Sequence, residues 1–167
     1  MGNISIQKLL NNLNPHRSNI TTRGFICHAI RAKGSECIPE LLHALKDAPL
    51  WKMGPIIEIL GDFHDLRALP SLLPLLFSDE VRIVSQTARA IIKFKQLDCI
   101  PIMLDALAHA TNWLIKCAIA ESLHQFIENC PADQERLFCY FLVYYYIYFS
   151  REDFIFTKCS KLLLVTI

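Results

Sequence analysis

Glycine is scarce in this sequence, with 5 residues among 167. Barrels and sandwiches need a tight turn between successive strands, and glycine supplies many of those turns. So few glycines, in a chain with 53% apolar residues, favour helices that pack on one another. The sequence therefore predicts an all-α protein.

The sequence also lacks an excess of charge of either sign, because it contains 17 Lys and Arg residues and 16 Asp and Glu residues. Proteins that bind DNA or RNA through its phosphates carry a clear basic surplus. The balance therefore predicts no nucleic acid partner. Five basic residues precede Glu36, the first acidic residue, so we expect one end of the molecule to be basic.

The seven cysteines are odd in number and widely spaced, and no two of them form a Cys-x-x-Cys pair. Disulfide frameworks and zinc sites need paired cysteines, so this spacing argues against both. We interpret the cysteines as small buried apolar residues. No secretion signal opens the sequence, and we expect a cytoplasmic protein.

The motifs of common active sites are lacking as well. The sequence has no glycine loop that would cradle a phosphate and no nucleophile elbow. Its six histidines fall at irregular positions, and His64-Asp65 is interpreted as a turn and a helix N-cap. These features predict neither catalytic residues nor a bound metal or cofactor.

What the sequence does contain is a repeat with a period of about 31 residues. Segments 38–45, 69–76 and 100–107 each open with an aliphatic residue and a proline, and continue with apolar residues at helical spacing. Proline is tolerated in the first turn of a helix, where its missing N–H would have no partner. Each segment is therefore predicted to start a helix.

A second amphipathic stretch follows each of these starts, at 51–60, 82–94 and 113–127, so the repeating unit is predicted to be a helical hairpin. One apolar stripe on each second helix is expected to pack against neighbouring helices. Its members are Met53, Ile56, Ile57, Leu60, Val84, Ala88, Ile91, Ile92, Ile115, Ala118, Ile119 and Leu123. One period earlier, residues 4–33 are predicted to form a degenerate first repeat, which makes four.

The central repeats share a pattern of particular residues. These are Leu60-Gly61-Asp62, Ala68-Leu69-Pro70, Leu73, Leu76, Asp79, Val81-Arg82 and Ala88. The pattern resembles HEAT-like repeats of the phycobilisome-lyase subtype, over about residues 15–128. The resemblance implies a right-handed α-α superhelix, or solenoid, whose second helices line a concave surface that commonly binds proteins.

The end of the sequence differs from the repeats that precede it. The repeats are predicted at about 4–33, 37–62, 68–95 and 99–128, in a solenoid of residues 1–130. The remaining segment, 131–167, contains the uncharged apolar and aromatic run 137–149, which is too short to cross a bilayer as a helix of about 20 residues. We interpret 131–167 as a fifth hairpin, an atypical cap or a truncated product, and as a candidate surface for self-association.

The side of each second helix opposite the stripe is expected to face away from the core. On this side, residues one period apart are expected to lie next to one another and form rows across successive second helices, which we call ladders. The four ladders are Ile20, Trp51, Arg82, Trp113; Arg23, Gly54, Ser85, Lys116; Cys27, Glu58, Arg89, Ala120; and Arg31, Asp62, Lys93, His124. We select Trp51, Arg82 and Trp113 as candidate partner-binding residues, because tryptophan and arginine are enriched at binding hot spots.

Each candidate also has a structural interpretation. The resemblance implies that an arginine at the position of Arg82 braces adjacent loops, and the two tryptophans would then fill the space where arginine is absent. Three further candidates, Arg89, Lys93 and Lys116, form either a basic patch for an acidic partner or a solvated helix face. The sequence leaves both interpretations open.

These observations predict a non-catalytic scaffold that binds another protein. The resemblance leaves one alternative, a bilin lyase or lyase-like subunit acting on phycobiliproteins, since the subtype includes such enzymes. HEAT-like DNA glycosylases would need a strongly basic concave face, which the near-zero net charge does not favour. The His-Glu pair that repeats in deoxyhypusine hydroxylase, a HEAT-repeat metalloenzyme, is not found here.

Overall fold

The computed structural model of the protein describes residues 5–13 and 20–129. These ranges contain eight α-helices and three short 3₁₀ helices, and no strand, so the predicted all-α class is confirmed for them. The α-helices are α1 (Ile6–Asn11), α2 (Ile20–Arg31), α3 (Ile38–Lys46), α4 (Leu50–Phe63), α5 (Leu69–Leu72), α6 (Val81–Lys93), α7 (Cys99–His109) and α8 (Trp113–Asn129). None of these described helices is long and apolar enough to span a bilayer.

Contacts between residues divide the chain into two units, Met1–Phe126 and Ile127–Ile167. The helices α1 to α7 and most of α8 belong to the first unit. The interpretations of segment 131–167 as a fifth hairpin, a cap or a self-association surface fall outside the described residues, as does the aromatic run 137–149.

The predicted helix starts are confirmed at the aliphatic-proline pairs. Helix α3 begins at Ile38 and α5 begins at Leu69, each with its proline in the first turn. Helix α7 begins at Cys99, one residue before the predicted start. Before α3 and α5, a 3₁₀ helix (Ser35–Cys37 and Leu66–Ala68) leads into the first turn.

The first helix of the third repeat differs from the continuous α-helix that the sequence predicts over residues 69–76. Helix α5 ends at Leu72, and a 3₁₀ helix, Leu73–Phe77, completes the segment. Pro74 lies at this change, since a proline inside an α-helix lacks the N–H for the next hydrogen bond and its ring crowds the carbonyl four residues earlier. Helix α4 nevertheless continues past Pro55, so a proline alone does not decide where a helix ends. The tighter 3₁₀ turn accommodates Pro74 near its own start.

The second helices bury the predicted apolar stripe. Ile57, Ala88 and Ile119 hold the same position in successive repeats, and each is 0% exposed. Most other members are buried as well, and Met53, Ile92 and Ala118 are half-buried. The helix-period spacing of apolar residues therefore identified the core side of α4, α6 and α8.

Helices α4 and α6 also end alike. The residue after α4, His64, and the second residue after α6, Lys95, both have a φ of 54°. The N–H of His64 donates to the carbonyl of Gly61 and that of Lys95 to Ile92, which closes the last turn of each helix. The same backbone turn therefore recurs at the corresponding position of the next repeat.

Packing between second helices is most extensive for α4 against α6, and α2 also packs against α4. At the α4–α6 contact the backbones approach closely: a Cβ atom built on Gly61 would lie 2.9 Å from the Cα atom of Ala90. At Gly54, a Cβ atom would instead meet the end of the Gln86 side chain of α6. Small residues on α4 thus allow α6 to pack against it at short range.

A lysine is buried in the first turn of α4. Lys52 is 8% exposed, and its Nζ donates a 3.0 Å hydrogen bond to Oδ1 of Asn11. Within the described ranges no carboxylate pairs with it, and burial lowers the pKa of its ammonium group. Helix α4 therefore carries a poorly compensated charge.

We expect Lys52→Met to raise the free energy of unfolding by about 1 kcal/mol, because methionine keeps the volume and removes the desolvated charge. The amide of Asn11 is exposed and can bind water instead. Chemical denaturation at pH 7 measures the difference, with Lys46→Met as the control at an exposed lysine of α3. A loss of stability on Lys52→Met would contradict the prediction.

Candidate functional site

Three charged side chains from three second helices meet at their C-terminal ends. The Nε atom of Arg31 in α2 donates a 2.7 Å hydrogen bond to Oδ2 of Asp62 in α4. The Nζ atom of Lys93 in α6 donates a 2.5 Å hydrogen bond to Oδ1 of the same carboxylate. The guanidinium of Arg31 also binds Glu58, at 2.9 Å. Residues one period apart therefore lie side by side across α2, α4 and α6.

This contact also locates the first ladder. Trp51 and Arg82 precede Asp62 and Lys93 on their helices by the same interval, which is close to three full turns at about 3.6 residues per turn. Trp51 and Arg82 therefore lie on the same side of their helices as the ion pair, near the N-terminal ends. We call this side the ladder face. On α2, α4 and α6 it includes Arg31, Trp51, Glu58, Asp62, Arg82, Ser85, Arg89 and Lys93, and from the repeat we expect Trp113 and Lys116 of α8 to continue it.

Asp62 is held as a carboxylate by its neighbours. Its partial burial would raise the pKa, but the hydrogen bonds and positive charges of Lys93 and Arg31 outweigh burial and lower it. The side chain of Asp62 is 28% exposed, and those of Arg31 and Lys93 are 32% and 37% exposed. The three groups are thus part of the protein surface, yet their charges are largely engaged with one another.

A pH dependence follows from the lowered pKa of Asp62. A carboxyl group with a depressed pKa stabilises the folded state fully above its unfolded value, near 3.9, and loses that contribution as the pH falls through the folded value. We expect Asp62→Asn to lower the free energy of unfolding by about 1 kcal/mol at pH 7. The difference from wild type should shrink as the pH falls below about 4 and through the lowered pKa of Asp62, because the wild-type carboxyl then becomes protonated.

Urea denaturation of both proteins at several pH values tests this expectation. Asp47→Asn provides the control, because Asp47 is exposed and forms no ion pair or side-chain hydrogen bond with another described residue. A difference between Asp62→Asn and wild type that does not shrink as the pH falls below about 4 would show that the ion pair is not its source.

The candidate partner-binding residues differ in their surroundings. Trp113 begins α8 and is 65% exposed, Arg82 is exposed, and Trp51 is half-buried. The start of α8 is fixed by Asn112, whose Oδ1 accepts a 2.9 Å hydrogen bond from the N–H of Leu114. No described residue pairs with the guanidinium of Arg82, so the structure contains no contact in which Arg82 braces a described loop.

The basic candidates also fall into two groups. Arg89 is exposed and, like Arg82, has neither an ion pair nor a hydrogen bond with the residues that the structure describes. Lys93 is paired with Asp62, and Lys116 is half-buried with a contact of its own. Trp51, Arg82, Arg89 and Lys93 thus lie on the ladder face of α4 and α6, with Arg82 and Arg89 as its unpaired cations among the described residues. Trp113 and Lys116 hold the corresponding positions of α8 by the repeat.

The His64-Asp65 pair forms the predicted turn. Asp65 caps the 3₁₀ helix Leu66–Ala68, because its Oδ1 accepts a 3.0 Å hydrogen bond from the N–H of Arg67. The Arg67 guanidinium binds the same carboxylate, and its hydrogen bonds lower the pKa of Asp65. In the part of the chain that the structure describes, no three His, Cys, Asp or Glu side chains are placed to hold a metal ion.

The interpretation of the cysteines as buried residues is confirmed for Cys27, Cys37 and Cys99. It is wrong for Cys117, which is exposed on α8. Cys117 corresponds by the repeat to Gln86 of α6, which packs over Gly54 of α4. The remaining three, Cys130, Cys139 and Cys159, lie outside the described residues.

Comparison with known proteins adds no family assignment: no model of a protein family matches the sequence, and no curated protein matches it significantly. The resemblance to HEAT-like repeats therefore depends on the residues that carry it. A function has to be argued from the ladder face.

Proposed function

We propose that the repeats form a HEAT-like right-handed solenoid and that the ladder face lines its concave side, where the protein binds another protein without catalysing a reaction. The observation that carries this proposal is the contact of Arg31, Asp62 and Lys93, which hold the same position in three successive repeats. It supports a regular stack of helical hairpins, because equivalent positions of successive second helices are neighbours. Stacked hairpins provide extended binding surfaces in repeat proteins.

The exposure of large side chains supports a binding role for the ladder face. Trp113 leaves 65% of its surface in water, although burial of an aromatic side chain in a partner interface would be favourable. Arg82 holds the corresponding position on α6, and tryptophan and arginine are both residue types that are enriched at hot spots. Arg82 has no partner among the described residues and Trp113 is exposed. Neither side chain in this state is expected to stabilise the isolated chain, which favours a role in binding.

The substitutions Trp51→Ala and Trp113→Ala test the proposal. Affinity purification of the tagged full chain from its native cells, followed by mass spectrometry, identifies proteins that bind it. We expect each substitution to weaken binding of a specific partner by about tenfold or more, which is the effect of a hot-spot residue worth about 1.4 kcal/mol or more. The melting temperature of Trp113→Ala should stay within a few degrees of wild type, because the side chain is exposed.

Phe25→Ala is the matched control, because Phe25 is 72% exposed on α2 but lies off the ladder face. If the ladder face is the binding surface, Phe25→Ala should still bind the partner that Trp113→Ala no longer binds. If the tryptophan variants keep every partner and lose stability instead, the two tryptophans are packing residues and the proposed function is wrong.

A further inference from the structure

The ladder face contains both paired and unpaired charges. Arg31 and Lys93 neutralise the two carboxylates of α4 that lie on this face, Glu58 and Asp62. Arg82 and Arg89 have no such partner in the described structure. The charge that the ladder face offers to another molecule is therefore positive, although the whole chain has a formal net charge of only +1.

The two unpaired arginines lie on one side of α6. They are seven residues apart, which is about two turns and about 10 Å along the helix axis. Helix α6 itself contains no acidic residue, and the exposed carboxylates of Asp79 and Glu80 lie just before its first turn.

From the repeat we expect apolar surface on both sides of this charge. Trp51 and Trp113 occupy the positions on α4 and α8 that correspond to Arg82 on α6. Trp113 is largely exposed, and the next residue, Leu114, is 44% exposed. A ligand that binds both features needs carboxylates for the arginines and apolar side chains for the tryptophans.

From this arrangement we propose that the ladder face binds an acidic segment of another protein, in which carboxylates spaced about two helical turns apart contact Arg82 and Arg89 and neighbouring apolar side chains contact Trp51 and Trp113. This inference rests on the proposed scaffold function and adds the chemistry of the partner. Arginine suits the role, because its guanidinium group binds a carboxylate through two parallel hydrogen bonds.

The tryptophans supply a direct readout, since Trp51 and Trp113 are the two tryptophans of the sequence. The probe is a peptide that repeats Glu-Glu-Leu four times, and its twin carries Gln in place of every Glu. We expect the acidic peptide to change the tryptophan emission of the full chain in a saturable and salt-sensitive manner. The neutral twin should bind at least tenfold more weakly.

The double variant Arg82→Glu/Arg89→Glu should bind the acidic peptide at least tenfold more weakly than wild type. Its control is Lys8→Glu/Lys46→Glu, which changes the net charge equally at two exposed lysines off the ladder face and should bind like wild type. Far-ultraviolet circular dichroism checks that both variants fold. If the neutral twin binds as well as the acidic peptide, if the arginine variant binds normally, or if wild type binds neither peptide, the inference is wrong.

The same variants separate this inference from the proposed function. A cellular partner that is lost with Trp51→Ala and Trp113→Ala but retained by Arg82→Glu/Arg89→Glu would leave the scaffold function standing and overturn the acidic partner. Loss of that partner with the arginine variant but not with the lysine control would support both. If tryptophan emission changes with protein concentration alone, a second copy occupies the ladder face and the inference falls.

Discussion

Ile57→Asp is expected to lower the free energy of unfolding by about 3 kcal/mol or more. Ile57 lies in the middle of α4 and is 0% exposed. A carboxylate at that position would lose its hydration without gaining a partner, and the shorter side chain would leave part of the volume unfilled. Ile119→Asp should have an effect of similar size, because Ile119 is equally buried in α8.

Glu58→Asp is the matched control for Ile57→Asp. It places the same aspartate one residue later on α4, where the side chain is 54% exposed. We expect Glu58→Asp to change stability by no more than about 0.5 kcal/mol. Chemical denaturation followed by circular dichroism measures both variants, and similar losses for the two would mean that the buried side of α4 is misassigned.

The difference between buried Ile57 and exposed Glu58 is an example of what the sequence could predict about the fold. The apolar stripe and the aliphatic-proline pairs are local features, and they located the helix starts and the core side of α4, α6 and α8. The repeat then predicted which side chains become neighbours, and Arg31 and Asp62 are in contact. The segment that contains Pro74 is divided between α5 and a 3₁₀ helix, which the repeat pattern did not predict.

Local patterns could not predict burial that depends on a neighbouring helix. By the repeat, Phe25 of α2 corresponds to Ile56 of α4 and Thr87 of α6, which are both 0% exposed. Phe25 is nevertheless 72% exposed, and a Cβ atom on the adjacent Gly24 would have nothing within 4 Å. This side of α2 is open where the same side of α4 and α6 is covered.

The candidate site was predictable in outline only. Residue types and spacing selected Trp51, Arg82 and Trp113 and placed Lys93 among the basic candidates. Opposite charges at Asp62 and Lys93, in equivalent positions of adjacent repeats, were the available signal for their ion pair. Whether a lysine binds a neighbouring carboxylate or remains unpaired like Arg89 depends on side-chain geometry, which a repeat pattern does not specify.

The second large effect concerns the close approach of α4 and α6 at Gly61. A Cβ atom on Gly61 would lie 2.8 Å from Cβ and 2.9 Å from Cα of Ala90, which is too short for carbon atoms at van der Waals contact of about 3.5 Å or more. Because one of the opposing atoms is backbone, the helices themselves would have to separate. We expect Gly61→Ala to lower the free energy of unfolding by about 2 kcal/mol, despite the better helix propensity of alanine.

Gly24→Ala is the same substitution in another second helix, and we expect the opposite sign. Gly24 lies within α2, and its added methyl group would have open space around it, so only the gain in helix propensity, up to about 1 kcal/mol, should remain. Urea denaturation of the two variants measures both signs in one experiment. A stabilising Gly61→Ala would show that α4 and α6 do not pack at the distance described.

A double-mutant cycle with Ala90→Gly locates the cause of the Gly61→Ala effect. Ala90→Gly removes the nearest carbon, the Cβ atom, but leaves the Cα atom of residue 90 in place. The steric cost of Gly61→Ala should therefore be smaller in the Ala90→Gly background than in wild type, with a coupling of about 1 kcal/mol between the two sites. Strict additivity would mean that the methyl group on residue 61 does not meet α6 at Ala90, and that the cost of Gly61→Ala comes from elsewhere in the packing of α4.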